Sequence, residues 1–295
     1  MAQPSKQASL VSKWLKLVLK IAVMSVCLWY VSGKIDFDKA KDVLQQSNWL
    51  LLLAALLVFV ISKLISAIRL NIYFKEIGIG LTQLQNIRLY LLGMFYNLFL
   101  PGSISGDAYK VILLTKRYAV SYKQTTAAVL LDRFSGLLGL GIILAAYSFF
   151  VIQPFYSLAM LAGILAAVTV LYFVIHRWFS YFNSSYWSTL LLGFAVQAVQ
   201  VACVYLIMGA LKIETSQTAY VFIFLISSVV SVLPLTIGGL GIREVVFLES
   251  AAYLDLSKET SVIISLLFYL ITLCTSATGA WYIFNDPLKK RRTQY

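Results

Sequence analysis

The chain has 295 residues, of which 60% are hydrophobic and 12% are charged. A soluble domain of this size needs a largely polar exterior, so the composition excludes one and predicts a membrane protein. The net charge of +12 is typical of cytoplasmic loops that face anionic lipid headgroups. The basic residues form no patch interleaved with aromatic residues, so we expect no nucleic-acid partner.

Several apolar segments are long enough to cross a hydrocarbon core of about 30 Å. In chain order, the predicted spans lie at about 14–33, 49–70, 124–150, 155–175, 188–211 and 259–284. Lys13, Lys16 and Lys20 share one face of the first span and can reach the headgroups. No small-residue cleavage site follows them, so we expect a retained span and not a cleaved signal.

Two motifs interrupt this pattern of spans. LPGSISGDAYKVILL runs from Leu100 to Leu114, and LPLTIGGLGIREVVF runs from Leu233 to Phe247. Each motif is flanked by half-length apolar pieces, which lie at 86–100, 106–115, 217–233 and 241–253. Since each piece is too short to span alone, we predict two re-entrant helical hairpins that leave the membrane on the side where they entered.

The basic residues support this topology. With both termini cytoplasmic and both motifs re-entrant, the larger share of Lys and Arg falls on the cytoplasmic side, as the positive-inside rule requires. The halves at about 10–150 and 151–288 then match in element order and oppose in direction, as in transporters built from inverted repeats. Aligning the two motifs places Pro101 on Pro234 and Gly106 on Gly239.

We therefore predict one all-α integral membrane domain over residues 1–295. It has about six full transmembrane helices and two re-entrant helical hairpins in an inverted repeat. The predicted location is a bacterial-type cytoplasmic (inner) membrane, crossed several times, with both termini cytoplasmic.

The hairpins predict a site, because irregular chain at membrane depth persists only against protein or a wet cavity. Two opposed hairpin tips that meet near the midplane form a polar, electropositive pocket. Helix N-termini near Gly106 and Gly241 are expected to point free N–H groups into it. The predicted hairpin backbone residues are Pro101, Gly102, Gly106, Pro234, Gly238, Gly239 and Gly241.

Ionisable side chains at membrane depth are costly and predict function. The predicted substrate-binding residues are Asn97, Asp107, Lys110, Asp132, Arg133, Arg243 and Glu244. The alternative is that these residues neutralise one another, for example Asp107 with Arg133, and only hold the hairpins in place. Hydrogen bonds between helices explain Asn97, Gln197 and Gln200 at least as well as ligand contact does.

Metal and cofactor chemistry has little support in the sequence. His176 is the single histidine, and Cys27, Cys203 and Cys274 lie inside apolar segments without metal-ligand spacing. We therefore expect no metal, no cofactor, no disulfide and no catalytic residue.

These motifs resemble those of flippase-like integral membrane proteins related to the transmembrane region of lysylphosphatidylglycerol synthases. The matching residues are Asn97, Pro101–Gly102, Gly106–Asp107, Asp132–Arg133, Pro234, Gly238–Gly239, Gly241 and Arg243–Glu244. Ser105 stands where the family pattern has Gly, and Lys110 stands where it has Arg. Lys keeps the charge there but loses the planar fork that grips phosphate.

The resemblance implies lipid handling, chiefly the flipping of aminoacylated phospholipids, and some relatives are linked to lipid-carried sugars. Our first hypothesis is a flippase or scramblase in which one half rocks against the other. Its partner is an anionic or zwitterionic phospholipid or a polyprenyl-phosphate-linked sugar, and homo-oligomerisation stays open. Since each carboxylate has a basic neighbour, we predict passive transport with Asp107 and Glu244 as structural partners.

The second hypothesis is a membrane glycosyltransferase, or a subunit of one, that uses a polyprenyl-phosphate-linked sugar. Asp107 or Glu244 is then the base and Arg243 the phosphate clamp. The sequence shows no nucleotide-sugar motif, and we expect no aminoacyl-transferase domain after Asp286. A third hypothesis, a non-transporting scaffold, leaves the costly polar hairpins unexplained.

Overall fold

The computed structural model describes residues 6–99, 104–233 and 236–289, and its regular structure in these ranges is helical. The helices are α1 (Lys6–Ser32), α2 (Phe37–Gln45), α3 (Trp49–Glu76), α4 (Gln83–Phe99), α5 (Ser105–Tyr118), α6 (Tyr122–Ser148), α7 (Pro154–Trp178), α8 (Tyr186–Ala210), α9 (Gln217–Ser231), α10 (Ile242–Tyr253), α11 (Lys258–Ala277) and α12 (Trp281–Phe284). Two 3₁₀ turns, Ser180–Ser185 and Thr278–Ala280, precede α8 and α12. Pro101, Gly102 and Pro234 lie outside the described residues, as do the side chains of Lys13, Lys16 and Lys20.

Within these ranges, five helical stretches are long and apolar enough to cross a membrane. They are Trp49–Glu76, Tyr122–Ser148, Pro154–Trp178, Ser180–Ala210 and Lys258–Phe284. These correspond to five of the six predicted spans. The first predicted span corresponds to α1, in which the apolar segment among the described side chains is Ile21–Ser32.

Polar caps fix where several helices begin. The side chains of Asn48, Ser121 and Ser257 accept hydrogen bonds from backbone N–H groups in the first turns of α3, α6 and α11. Such caps satisfy amide groups that have no partner within the helix. The observed starts of these three helices lie within two residues of the starts predicted from hydropathy.

Helix α2 was not predicted. It has nine residues, begins at the N-cap Asp36 and packs against α11. Its sequence FDKAKDVLQ is too short and too charged to be predicted as a membrane span. It connects α1 to α3 at one end of the molecule.

Contacts between chain segments identify the two ends of the helix bundle. The segment Lys258–Phe284 is 27 residues long, or about 40 Å at 1.5 Å per residue, so its two ends lie at opposite ends of the molecule. At the Lys258 end, the Asn48 N–H donates to the Ala210 carbonyl (2.8 Å). At the other end, called the Asp286 end, the chain continues past Phe284.

The first helical hairpin, formed by α4 and α5, has both of its open ends at the Asp286 end. Gln85, in the first turn of α4, donates from Nε2 to the Leu288 carbonyl (2.7 Å). Arg117, in the last turn of α5, donates from Nη1 to Asp286 (2.8 Å). The residues that follow the last helix therefore hold both arms of this hairpin.

The ion pair between Arg117 and Asp286 lies outside the membrane spans. Burial raises the pKa of Asp286, but hydrogen bonds from Arg117 and from the Leu288 amide outweigh it and lower the pKa below its usual value. The stabilising effect of this ion pair is present above the pKa that Asp286 has in the unfolded chain. It is lost as pH falls through the lower pKa that Asp286 has in the folded protein. Both side chains are more than 40% exposed (44% and 43%), so the effect on stability is small.

The second helical hairpin, formed by α9 and α10, has its open ends at the Lys258 end. The Tyr220 hydroxyl, in the first turn of α9, lies beside Ser257 and Ser261 at the start of α11. Helix α10 ends at Tyr253, just before α11 begins. The two hairpins therefore open toward opposite ends of the molecule.

The contacts between helices are largely preserved when the two halves of the chain are exchanged. The exchange replaces α3 with α8, α4 with α9, α5 with α10, and α6 with α11. Helix α3 packs on α4 and α6, as α8 does on α9 and α11. Helix α4 packs on α5 and α11, as α9 does on α10 and α6. Helices α1 and α7 do not follow this pattern, since α1 packs on α10 and α7 packs on α6.

Glycines let the backbones of α6 and α8 touch. A Cβ atom on Gly139 would lie 2.4 Å from the carbonyl carbon of Gly193. A Cβ atom on Gly193 would lie 2.3 Å from the Ser135 carbonyl oxygen. Small residues at such crossings allow the close approach that holds membrane helices together.

The first hairpin is closed by a similar approach, and we expect Gly106→Ala to destabilise the protein. The new Cβ would lie 2.0 Å from the Gly93 carbonyl oxygen, so α4 and α5 would have to separate. Overpacking of this kind costs about 1–3 kcal/mol. The loss should appear as a lower melting temperature in detergent.

Gly163→Ala is the matched control, because a Cβ on Gly163, in the middle of α7, meets nothing within 4 Å. We expect this variant to be as stable as the parent or slightly more stable, since Ala favours helix over Gly. Equal melting temperatures for the two variants would contradict the close packing of α4 on α5.

Candidate functional site

The two hairpins meet in the interior of the molecule. A Cβ on Gly238, in the second motif, would lie 2.1 Å from Cδ1 of Leu98, near the end of α4. Gly238, Gly239 and Gly241 all have positive φ angles (62°, 83° and 87°), which suit glycine because it has no Cβ. This local conformation turns the chain sharply before α10 begins.

The Gly106 and Gly241 amide groups are not free, contrary to expectation. The Gly106 N–H donates to Asn97 Oδ1 (2.9 Å). The Gly241 N–H donates to Glu244 Oε2 (2.7 Å), and Glu244 Oε1 accepts from the Ser265 hydroxyl (2.8 Å). A helix N-terminus attracts the nearest acceptor, and here the chain itself supplies that acceptor.

Asp107 connects α5 to α6. Its Oδ1 lies 3.1 Å from Lys110 Nζ, and its Oδ2 accepts a hydrogen bond from Arg133 Nε. Lys110 Nζ also lies 4.8 Å from the centroid of the Tyr90 ring. One carboxylate therefore faces two cations, which leaves a local excess of positive charge.

Asp132 forms a buried ion pair with Arg69. Arg69 Nε lies 2.8 Å from Asp132 Oδ1, and only 6% and 10% of the two side chains are exposed. Arg69 lies in the interior on α3, where the carboxylate on α6 offsets its cost of burial.

A polar cavity of about 330 Å³ lies between the second hairpin and the long helices. Its lining residues are Phe59, Lys63, Arg133, Gly136, Leu137, Leu140, Gln197, Gln200, Ser228, Ser231, Val232, Arg243, Phe268 and Thr272. Those on α3, α6, α8 and α11 lie near the middle of each helix, which places the cavity near mid-membrane depth. Three of these side chains are cationic, and among the described residues no carboxylate lines the cavity.

Arg243 is the most buried of the three cations, with 8% of the residue exposed. Its guanidinium lies over the rings of Phe224 and Phe268, with centroid distances of 5.5 and 4.8 Å. Its Nε and Nη2 atoms have no hydrogen-bond partner among the described residues. Buried donors without a partner cost free energy, so this side chain is suited to an anion that enters the cavity.

Lys63 is the second cation and was not among the predicted binding residues. It lies in the middle of α3, with Nζ 4.4 Å from the centroid of the Phe59 ring. In the described part of the chain it forms no ion pair. Its position halfway along an apolar span, where charge is costly, is the signal in the sequence that identifies it.

The predicted binding residues fall into two groups. Arg133 and Arg243 line the cavity, and Arg133 also pairs with Asp107. The remaining predicted residues contact other parts of the protein. They are Asn97, Asp107, Lys110, Asp132 and Glu244.

Other polar lining residues were not predicted as part of the site. They are Ser228, Ser231 and Thr272, together with Gln197 and Gln200, which were noted only as polar residues within spans. A hydroxyl side chain in a membrane helix can donate to a backbone carbonyl of the same helix, as Ser228 does to the Phe224 carbonyl (2.8 Å). Sequence spacing alone therefore does not distinguish these residues.

The apolar helices and the buried polar cavity define a multi-pass membrane protein. Residues 17–185 and 177–279 match the family described as the lysylphosphatidylglycerol synthase TM region, and the chain belongs to this family. The resemblance noted in the sequence is thereby confirmed.

A UPF0104 membrane protein of Pyrococcus horikoshii, PH1989, is 28% identical to the chain over 123 residues. The alignment covers 41% of this chain and 36% of that relative. It therefore spans about a third of the length of this curated relative.

Proposed function

We propose that this protein moves a membrane lipid with an anionic or zwitterionic headgroup between leaflets, as a flippase or scramblase. The observation that carries the proposal is the cavity, which presents Lys63, Arg133 and Arg243 at mid-membrane depth with no carboxylate among its described lining residues. Cationic side chains at this depth are costly and mark ion or substrate pathways. A phosphate group offsets that cost.

The size of the cavity favours a small headgroup. Its volume of about 330 Å³ is at the lower limit of ligand pockets, which range over roughly 300–1,000 Å³. A phosphate with a small polar substituent fits this space. A large lipid-linked oligosaccharide does not fit it without rearrangement of the protein.

The same geometry favours transport over glycosyl transfer. A transferase needs a base beside the bound substrate. Asp107 is paired with two cations, and both oxygens of Glu244 accept hydrogen bonds from the protein. Neither carboxylate lines the cavity.

For the architecture, we propose that both hairpins are re-entrant and that the two halves form an inverted repeat in a cytoplasmic membrane. Three observations support this: the opposite openings of the hairpins, the contact pattern preserved on exchange of the halves, and the short hairpin helices. Helices α9 and α10 have 15 and 12 residues, below the roughly 20 that a span needs. The basic residues favour the cytoplasm at the Asp286 end.

Single-cysteine labelling tests this topology in a cysteine-free background. We expect cysteines at Leu84 and Tyr118, at the two open ends of the first hairpin, to react with an impermeant reagent from the cytoplasmic side. A cysteine at Glu214, before α9, should react from the opposite side. If Leu84 and Tyr118 react from opposite sides, α4 and α5 are not re-entrant.

Lipid movement itself is tested in proteoliposomes with a panel of fluorescent lipids. The panel comprises phosphatidylglycerol, phosphatidylethanolamine and a polyprenyl-phosphate-linked monosaccharide, with diacylglycerol as the control that lacks phosphate. We expect the protein to accelerate movement of at least one phosphate-bearing lipid above protein-free vesicles. No acceleration of any of them would refute the proposal.

We expect transport to be passive, because Asp107 and Glu244 are held by partners within the protein and serve as structural groups. An imposed pH gradient should leave the rate in proteoliposomes unchanged. A strong acceleration that is lost in Asp107→Asn or Glu244→Gln would show instead that a carboxylate carries protons.

A further inference from the structure

A second cavity adjoins the first and differs from it in chemistry. It is a groove of about 250 Å³ between α3, α4 and the end of α11. Its α3 wall is the stripe Leu56, Val60, Lys63 and Ala67, and its α4 wall is Ile87, Tyr90 and Leu91. Except for Lys63 and the Tyr90 hydroxyl, these side chains are apolar.

The polar atoms on the α11 wall of the groove are already bonded. The Thr275 hydroxyl donates to the Ile271 carbonyl (2.9 Å), and the Thr278 hydroxyl donates to the Thr275 carbonyl (2.7 Å). These hydroxyls need no further hydrogen-bond acceptor. The groove therefore offers an environment for hydrocarbon and not for a headgroup.

Lys63 lines both the groove and the polar cavity. Helix α11 also lines both, with Phe268 and Thr272 in the cavity and Thr275 in the groove, where Thr278 of the following 3₁₀ turn joins it. The two spaces therefore share the Lys63 side chain as a common wall. The groove opens on the outer surface of the molecule beside Leu57 and Leu64, which are 59% and 39% exposed.

We propose that the groove binds one hydrocarbon chain of the lipid whose anionic headgroup occupies the polar cavity. This proposal rests on the proposed function. It specifies the ligand as an amphiphile whose anionic group lies next to its hydrocarbon chain. Lys63, where the two spaces join, faces that anionic group. Along α11 the groove lies on the Asp286 side of the cavity, and along α3 it runs from Leu56 to Ala67, past the cavity residues Phe59 and Lys63 in both directions.

The test is photocrosslinking of the full-length protein in lipid nanodiscs. The probe is phosphatidylglycerol with a diazirine in one acyl chain, and crosslinked residues are mapped by mass spectrometry. We expect crosslinks at Leu57, Leu64, Ile87 and Leu91. Unlabelled phosphatidylglycerol should compete for them about tenfold better than diacylglycerol does.

Val60→Trp should fill the groove and reduce these crosslinks by about tenfold. The matched control is Ile61→Trp on the neighbouring residue, which is 49% exposed and does not line the groove. It should leave the crosslinks unchanged. Equal loss in both variants would overturn the proposal.

Two further results would also overturn it. Equal competition by diacylglycerol would mean that the groove holds only surrounding lipid. Disulfide crosslinks between two copies through cysteines at Ile87 and Leu91 would mean that a second copy of the chain fills the groove.

The proposed function can fail separately. A protein that gives crosslinks selective for phosphatidylglycerol but moves no lipid would refute transport and support the chain site. A protein that moves lipid but gives no crosslinks in the groove would refute the chain site alone.

Discussion

Arg243→Gln is expected to reduce lipid movement in proteoliposomes by about 30-fold or more while the protein stays folded. Losing a buried charge that pairs with a bound anion costs about 2–5 kcal/mol, and every 1.4 kcal/mol is a factor of ten. The parent side chain has two buried nitrogens without a hydrogen-bond partner among the described residues. Removing this side chain therefore relieves a free-energy cost in the protein without bound lipid, and the melting temperature should not fall.

Arg177→Ala is the matched control for Arg243→Gln, since it removes a cation from the exposed last turn of α7. It should leave transport unchanged. Arg243→Lys should give an intermediate rate, because the charge is kept and the planar fork is lost. Normal transport by Arg243→Gln, or a large fall in its melting temperature, would assign this arginine a structural role.

Asp132→Ala is expected to produce the opposite pattern, with a severe loss of stability. The substitution leaves Arg69 buried without its carboxylate, and breaking a buried pair in this way costs about 3–5 kcal/mol. Globular proteins have total stabilities of only about 5–15 kcal/mol. The yield of monodisperse protein after mild heating in detergent measures the effect.

The double variant Arg69→Met/Asp132→Leu separates structure from function at this pair. Replacing a buried ion pair by apolar residues of similar size is often neutral or stabilising, so most of the lost stability should return. If it does and lipid movement persists, the pair serves the fold. Wild-type stability in Asp132→Ala would show that Arg69 does not depend on this carboxylate.

Much of the helical architecture could be predicted from hydropathy alone, because a span must be both long and apolar. The prediction placed the start of α9 at Gln217, where the structure has it. It missed α2, whose nine charged and apolar residues carry no span signal. It did not identify Arg69 as buried, because composition does not show that Asp132, 63 positions away, is its partner.

The candidate site was harder to predict. Sequence motifs identified Arg243 and Arg133, but they also selected Asp107 and Glu244, which bind the protein's own cations and backbone. Whether a carboxylate faces a ligand or a neighbouring helix depends on tertiary packing, which spacing along the chain does not encode. Lys63 belongs to no motif, and only its depth in the membrane distinguishes it.

The glycine crossing of α6 and α8 bears on how such a protein changes shape. Helix α6 belongs to the first half and α8 to the second, and their backbones touch at Gly139 and Gly193. Rocking one half against the other, the motion expected from the sequence, would pull apart the interface where main chain meets main chain. We therefore expect α6 and α8 to move together as one pair, with the change of shape taken up at other interfaces.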